Sequence, residues 1–224
     1  KSLMLGHAGL TSVPMKRLLR MGEDMLGRII RLDLSYNYLT ALPQELPLLS
    51  NLQELWLQSN PLESLVGISC LQQLEVLDIR NTQVSIFPSE MATMRRLYDI
   101  DWRETPVATN LYNEYDIEVN DLPAVMTVLH EQHTRECLEA QLLEALSGVK
   151  YMKEADVPGM AQMIEQLVMT LSDMYSNVDE FSLFVRRADS LLPDKMRDCT
   201  PKNLLKVKEA FEEMQRQTTR KRLA

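Results

Sequence analysis

The first half of the chain repeats one pattern of apolar residues at a nearly constant interval. The second apolar residue of each copy stands at positions 5, 34, 57, 79 and 102, so the last four copies follow one another every 22 or 23 residues, and only the first interval is longer. A period of about 20 to 50 residues indicates a solenoid, in which each copy is one structural unit that buries its apolar face against its neighbours. The fold of this region is therefore constrained before any single residue is considered.

Within each copy the apolar residues alternate, which is the spacing of side chains on one face of a β-strand. Leu32, Leu34, Asn37 and Leu39 of the second copy correspond to Leu55, Leu57, Asn60 and Leu62 of the third. Equivalent stretches occupy residues 3–14, 77–88 and 100–107. We expect short strands that point alternate side chains into the solenoid core and leave the residues between them on the solvent-facing side.

One polar position recurs after each strand. Asn37 and Asn60 occupy it in the two clearest copies, where a side-chain amide can pair with backbone groups that a turn would otherwise leave unsatisfied. Ala8, Thr82 and Thr105 stand there in the other copies. Because the end copies of solenoids are often atypical, we expect the copy at 100–107 to begin a C-terminal cap.

These copies resemble the intracellular class of leucine-rich repeats, whose unit reads L-x-x-L-x-L-x-x-N-x-L-x-x-L-P. The resemblance covers residues 1–110 and rests on five copies that agree in period and pattern. It implies an α/β fold, a short leucine-rich-repeat solenoid of about four to five repeats. It also implies an adaptor in protein recognition, of the kind that serves phosphatases, small GTPases, cilia or the cytoskeleton.

The long interval between the first two copies is expected to hold one convex-side helix. The apolar residues expected to face inward from this stretch, 15–31, are Leu18, Leu19, Met25 and Leu26.

The residues between the core positions define a candidate binding surface. If the strands stack in register, three columns cross the concave sheet: Arg31, Glu54, Val76 and Asp99; then Asp33, Trp56, Asp78 and Asp101; then Ser35, Gln58, Arg80 and Arg103. Trp56 is the expected centre, because tryptophan is enriched among the residues that dominate protein interfaces. The flanking aspartates favour a basic protein partner. The alternative is that Trp56 only covers its neighbours.

Residues 111–224 lack the repeat and are expected to form an all-α helical domain. Helix start and stop signals predict helices at about 121–147, 158–174 and 177–192 and a further one from Thr200. The apolar stripe of the second helix is predicted to comprise Met160, Met163, Ile164, Leu167, Val168 and Leu171. These helices could pack on the solenoid, bundle together or continue as a coiled coil. The alternative function makes them a dimerisation or complex-assembly element of a cytoskeletal or ciliary scaffold, with the repeats as a rigid support.

No signature of catalysis is found in the sequence. Glycine-rich phosphate loops and nucleophile elbows are absent. Certain ubiquitin ligases also join leucine-rich repeats to a helical half, but they need a Cys-x-Asp loop, whereas Cys137 and Cys199 are followed by Leu-Glu and Thr-Pro. We therefore do not expect an enzyme.

Metal and cofactor sites are not expected either. His130, His133 and Cys137 share one helical face, but a fourth ligand is not evident and the usual paired spacings are missing.

Composition limits the partners and the compartment. A net charge of −8 argues against nucleic acid, and no run approaches the roughly 20 apolar residues that span a membrane. Three scattered cysteines fit a reducing, cytoplasmic location, in which association with the cytoskeleton is one option. Because the chain begins at Lys1 inside a repeat-like stretch, we also expect it to belong to a longer protein.

Overall fold

The computed structural model describes residues 1–20, 22–119, 121–148 and 157–175, with single positions at 180, 183, 184, 188, 213, 216 and 220. The chain divides by its internal contacts into two compact units, Lys1–His133 and Thr134–Ala224.

The first unit contains a five-stranded parallel sheet in which the strands follow chain order. The strands are β1 (Ser2–Met4), β2 (Arg31–Asp33), β3 (Glu54–Trp56), β4 (Val76–Asp78) and β5 (Asp99–Asp101). Their central residues, Leu3, Leu32, Leu55, Leu77 and Ile100, pair in register. The sheet confirms the predicted solenoid, because every strand comes from the same position of a repeat.

The convex side is built from short helical turns. Three of them are 3-10 helices at Leu46–Leu48, Ile68–Cys70 and Ser89–Thr93. Between these turns and the sheet lies a continuous apolar core of leucines from successive copies.

The prediction of one helix across 15–31 is wrong. The segment forms two short helices, α1 (Met15–Leu19) and α2 (Glu23–Leu26), because Gly22 has a φ of 87° that an α-helix cannot contain. Leu18 and Leu26 are buried as predicted, whereas Leu19 and Met25 are only half-buried.

Asn37 joins the turns of the first two copies through a network of hydrogen bonds. Its Oδ1 atom accepts the backbone N–H groups of Ala8 at 3.1 Å and Leu10 at 2.9 Å. Its Nδ2 atom donates to the carbonyl oxygens of Leu5 and Leu34, both at 2.9 Å. One buried side chain thus satisfies polar backbone groups of two repeats.

Asn60 has the same role in the third copy. Its Oδ1 atom accepts the N–H of Leu39 at 3.0 Å, and its Nδ2 atom donates to the carbonyls of Leu34 and Leu57 at 2.9 Å. The predicted pairing of both asparagines with backbone groups of the turns is therefore confirmed, and the structure adds that each amide joins two copies.

The residue directly before each of these polar positions is left-handed. His7, Tyr36, Ser59, Asn81 and Glu104 all have φ between 51° and 59°. None of them is glycine, so each conformation costs about 1 to 2 kcal/mol relative to the ordinary regions. The hydrogen bonds around the next residue help to hold it in place.

The last copy leads into a helical cap. Thr105 donates to the carbonyl of buried Trp102 and caps α3 (Pro106–Tyr115) by accepting the N–H of Ala108. The cap prediction agrees with this, but sequence analysis expected helix only after residue 110. The missed signal was Pro106 at the first helical position behind a capping threonine.

Two long helices come next along the chain. They are α4 (Leu122–Gly148), whose start is capped by Asp121, and α5 (Val157–Met174). Both predicted helices are confirmed. In the predicted α5 stripe, however, Met163 is 42% exposed, while Ile164 and Val168 are buried. The helices predicted at 177–192 and from residue 200 lie outside the described stretches.

Tyr175 organises the core of the second unit. Its hydroxyl donates to the carboxylate of Glu139, its ring stacks on Phe184 and the guanidinium of Arg135 lies 5.2 Å from its centroid. Burial, reinforced by the hydrogen bond to Glu139, raises the pKa of the Tyr175 hydroxyl. The phenol is therefore a neutral donor that fixes α4 to the segment after α5.

We expect Asn37→Ala to lower the free energy of unfolding by about 2 to 4 kcal/mol, because it leaves several buried backbone groups without a partner. The measurement is urea unfolding followed by tryptophan fluorescence, since Trp56 and Trp102 both lie in the repeats.

Asn51→Ala is the matched control. Asn51 is exposed and makes a single hydrogen bond, to the carbonyl of Gly27. Its loss should cost less than about 1 kcal/mol. Equal losses for the two variants would contradict the role assigned to Asn37.

Candidate protein-binding face

The strand register brings the predicted columns together. In the first column Arg31 lies beside Glu54, then Val76 and Asp99; in the second, Asp33 lies beside Trp56, then Asp78 and Asp101. Sequence analysis left out β1, which adds Ser2 to the first column and Met4 to the second. Met4 is 62% exposed, so it extends the face at its N-terminal end.

Trp56 contacts a residue of the first column. Glu54 accepts the indole N–H of Trp56 at 3.4 Å through Oε2 and the guanidinium of Arg31 at 2.6 Å through Oε1. The hydrogen bond from Arg31 lowers the pKa of the Glu54 carboxyl. The indole is half-buried rather than fully solvent-facing.

Asp78 is not the exposed acid that its place in the pattern predicted. Only 4% of Asp78 is accessible, because Arg80 folds back over it with a two-pronged contact, Nε to Oδ1 at 3.0 Å and Nη2 to Oδ2 at 2.7 Å. The same guanidinium reaches Asp101, with Nε 3.2 Å from Oδ2. Strand periodicity shows which side of the sheet a residue is on, but not whether a long neighbour covers it.

Arg103 repeats this arrangement in the fifth copy. It contacts Asp101 through Nε at 2.9 Å and Nη2 at 2.6 Å. Burial alone would raise the pKa of the Asp101 carboxyl, but the hydrogen bonds and charges of Arg103 and Arg80 outweigh it and lower that pKa. A four-residue ion-pair network therefore covers the C-terminal end of the face.

Most acids of the face are thus neutralised from within. Each of its three arginines is paired, and among the described residues only Asp33 and Asp99 of its acids lie without an arginine or lysine in salt-bridge range. The uncompensated negative charge is local rather than spread over the sheet.

Asp33 differs from the other aspartates of its column in the residue two positions later. Arginines stand two residues after Asp78 and Asp101, whereas Ser35 holds this position after Asp33 and donates its hydroxyl to Oδ1 at 2.6 Å. Gly6 is the neighbour of Ser35 in the first copy, and a Cβ there would lie 3.2 Å from Asp33 Oδ1. No side chain from that glycine covers the carboxylate.

Aromatic side chains at the carboxyl ends of the first two strands were missed by sequence analysis. His7 stacks on Tyr36 with ring centroids 4.3 Å apart, and Tyr36 and Tyr38 are 51% and 65% exposed. The sequence signal that could have revealed Tyr36 and Tyr38 is their position on either side of Asn37. These are positions in a turn, where the side chain has no role in the core.

The His130, His133 and Cys137 group shows no metal-site geometry. Nδ1 of His133 lies 3.5 Å from Ser89 Oγ, and no group of three potential ligands occurs in the described part of the chain. The helices described in the structure include none that is long and apolar enough to cross a membrane.

Comparison with known proteins identifies the repeats. The family model for leucine-rich repeats, in two copies, matches residues 50–90. The repeated units of this chain are leucine-rich repeats, as the sequence resemblance implied. A search of curated proteins gives no match.

Two solved structures are similar to part of this chain. One is internalin C2 of Listeria monocytogenes, 23% identical over 47% of this chain and 43% of that one, with a TM-score of 0.39. The other is a leucine-rich-repeat protein of Leptospira interrogans, 26% identical over 46% of this chain and 31% of that one, with a TM-score of 0.38. This chain therefore spans less than half the length of either.

Arg80→Met should destabilise the repeats by about 1 to 2 kcal/mol, because it leaves the nearly inaccessible Asp78 unpaired. The loss of stability is smaller than for a fully buried ion pair, because Arg80 is 38% exposed. Arg103→Met, at a more exposed pair, should cost less. Urea unfolding of both variants measures the difference, and the reverse order would contradict the covering role of Arg80.

The repeats should lose stability in acid partly through Asp101. Its folded-state pKa is lowered, so the stabilisation is present above the unfolded-state pKa of about 4 and is lost as the pH falls through the folded-state value. Asp101→Asn should therefore lower the urea midpoint at pH 7. The difference in urea midpoint between this variant and the native protein should be smaller at pH 3. An equal difference in urea midpoint at pH 7 and pH 3 would argue against this linkage.

Proposed function

We propose that the chain is a protein-recognition module that binds a segment of a partner protein across the concave face, with Trp56 at the centre. The observation that supports this most is the setting of Trp56, a large aromatic side chain in the middle strand whose indole N–H already donates to Glu54 within the chain. A pre-oriented aromatic side chain loses little conformational freedom on binding, which favours affinity.

The dimensions of the sheet favour a short, extended ligand. Neighbouring strands lie about 4.8 Å apart, so five strands span about 19 Å, the length of about six extended residues. A segment laid across the strands would pass Met4 and Asp33 before it reaches Trp56. A small solenoid of this size suits a linear motif better than a folded domain.

The face does not offer a broad acidic surface for a highly basic partner. Its arginines neutralise Glu54, Asp78 and Asp101, so attraction for a basic partner would be concentrated at the two unpaired acids, Asp33 and Asp99. An adaptor of this kind needs no chemistry of its own, and we propose a non-enzymatic role in the cytoplasm.

Affinity capture from cell lysate tests this function. Replacing Trp56 with alanine should remove or strongly weaken at least one partner seen with the native chain, because it deletes the central contact. Captured proteins are quantified by mass spectrometry. Val66→Ser is the control, since Val66 is 77% exposed and lies outside the sheet.

If every partner is captured equally by the native chain and by Trp56→Ala, the concave face is not the binding site. Partners retained in that case would have to bind elsewhere on the chain, as the alternative role for residues 111–224 requires.

A further inference from the structure

The concave face contains an incomplete copy of its own ion-pair motif. Asp78 and Asp101 each receive a two-pronged guanidinium from the arginine two residues later. Asp33 occupies the same column and the same strand position, but Ser35 stands where those arginines stand. Three equivalent carboxylates thus have two internal guanidinium partners.

We propose that Asp33 receives its guanidinium from an arginine of the partner protein, which binds beside Trp56. The inference rests on the proposed function and specifies the chemistry recognised at its centre. The partner arginine would take the place that Arg80 takes over Asp78, with two parallel N–H···O contacts to the carboxylate.

The surroundings of Asp33 leave this place open. Ser35 is buried and uses its hydroxyl and its N–H on Oδ1 only, at 2.6 Å and 2.9 Å. Gly6 contributes no side chain. A carboxylate can accept about four hydrogen bonds, so Oδ2 and the outer side of Oδ1 keep acceptor capacity for a fork of N–H donors.

Trp56 supplies the second contact that a guanidinium favours. The register places it directly beside Asp33 on the neighbouring strand, and a planar cation stacks well on an indole face. Among the described residues no cation lies over this ring, whereas one lies over Tyr175. Charge and aromatic surface therefore meet at one point of the face.

A small probe tests this site directly. The ¹⁵N-labelled full chain is titrated with N-acetyl-arginine amide, and the indole N–H of Trp56 and the backbone N–H of Ser35 are followed by NMR. Both signals should shift saturably with a dissociation constant of about 1 to 10 mM, the range expected for one small contact. The indole of buried Trp102 is the internal reference and should stay in place.

Three comparisons isolate the proposed contact. N-acetyl-citrulline amide, a neutral probe of the same shape, should produce no saturable shift. Asp33→Asn should weaken arginine binding about tenfold or more, because the charged partner is lost. Asp99→Asn, at the other uncompensated acid, should leave it unchanged.

Ser35→Arg provides a gain-of-contact variant. It completes the motif of the fourth and fifth copies, so the internal guanidinium should occupy Asp33 and displace the probe. The Trp102 indole signal reports whether this variant is folded. If Ser35→Arg does not fold, the Asp33→Asn titration alone decides whether Asp33 binds the arginine probe.

Equal titrations of the native chain and Asp33→Asn, equal binding of citrulline, or no saturable shift with arginine would each overturn the proposal. Partner capture separates this failure from that of the broader function. Capture that falls with Trp56→Ala but not with Asp33→Asn rejects arginine recognition and keeps the protein-binding role, whereas capture unaffected by both rejects that role as well.

Discussion

The repeats depend on the hydrogen bonds by which one buried amide serves two turns. A solenoid of three-residue strands has little regular secondary structure, so many backbone groups at its turns would be buried without partners. Asn37 and Asn60 each satisfy groups from their own copy and from the copy before it. Each amide therefore couples neighbours directly, and the loss of one repeat removes polar partners as well as apolar contacts from the next.

The concave face results from the same constraint. Since the turns set the register, side chains from five separate copies are brought into straight columns, where long charged residues can reach across strands. Arg80 contacts aspartates of two copies. Most of the charged side chains of this face are paired in such contacts. The surface proposed for recognition is small, and it lies where the internal pattern is interrupted, at Asp33 and Trp56.

Much of this architecture could be predicted from the residues themselves. Period and alternation indicated the strands, the columns and the role of Asn37, because each depends on local spacing. The burial of Asp78 could not be predicted this way, because it depends on the rotamer of Arg80. The break at Gly22 was missed because leucines continue on both sides of it, and α3 because Pro106 was assigned to the last repeat. The path of an extended partner across the columns could not be predicted either, because it depends on side-chain conformations that sequence spacing does not determine.

The left-handed residues that precede each polar turn position have an evolutionary consequence. His7, Tyr36, Ser59, Asn81 and Glu104 share one backbone conformation yet have unrelated side chains. Because surrounding hydrogen bonds help to impose the conformation, selection need not preserve glycine there, and no one type of side chain is required. These positions are spaced along one rim of the sheet beside the proposed binding face. A lineage could change what the rim contacts, one residue at a time, without disturbing the stacking of the repeats.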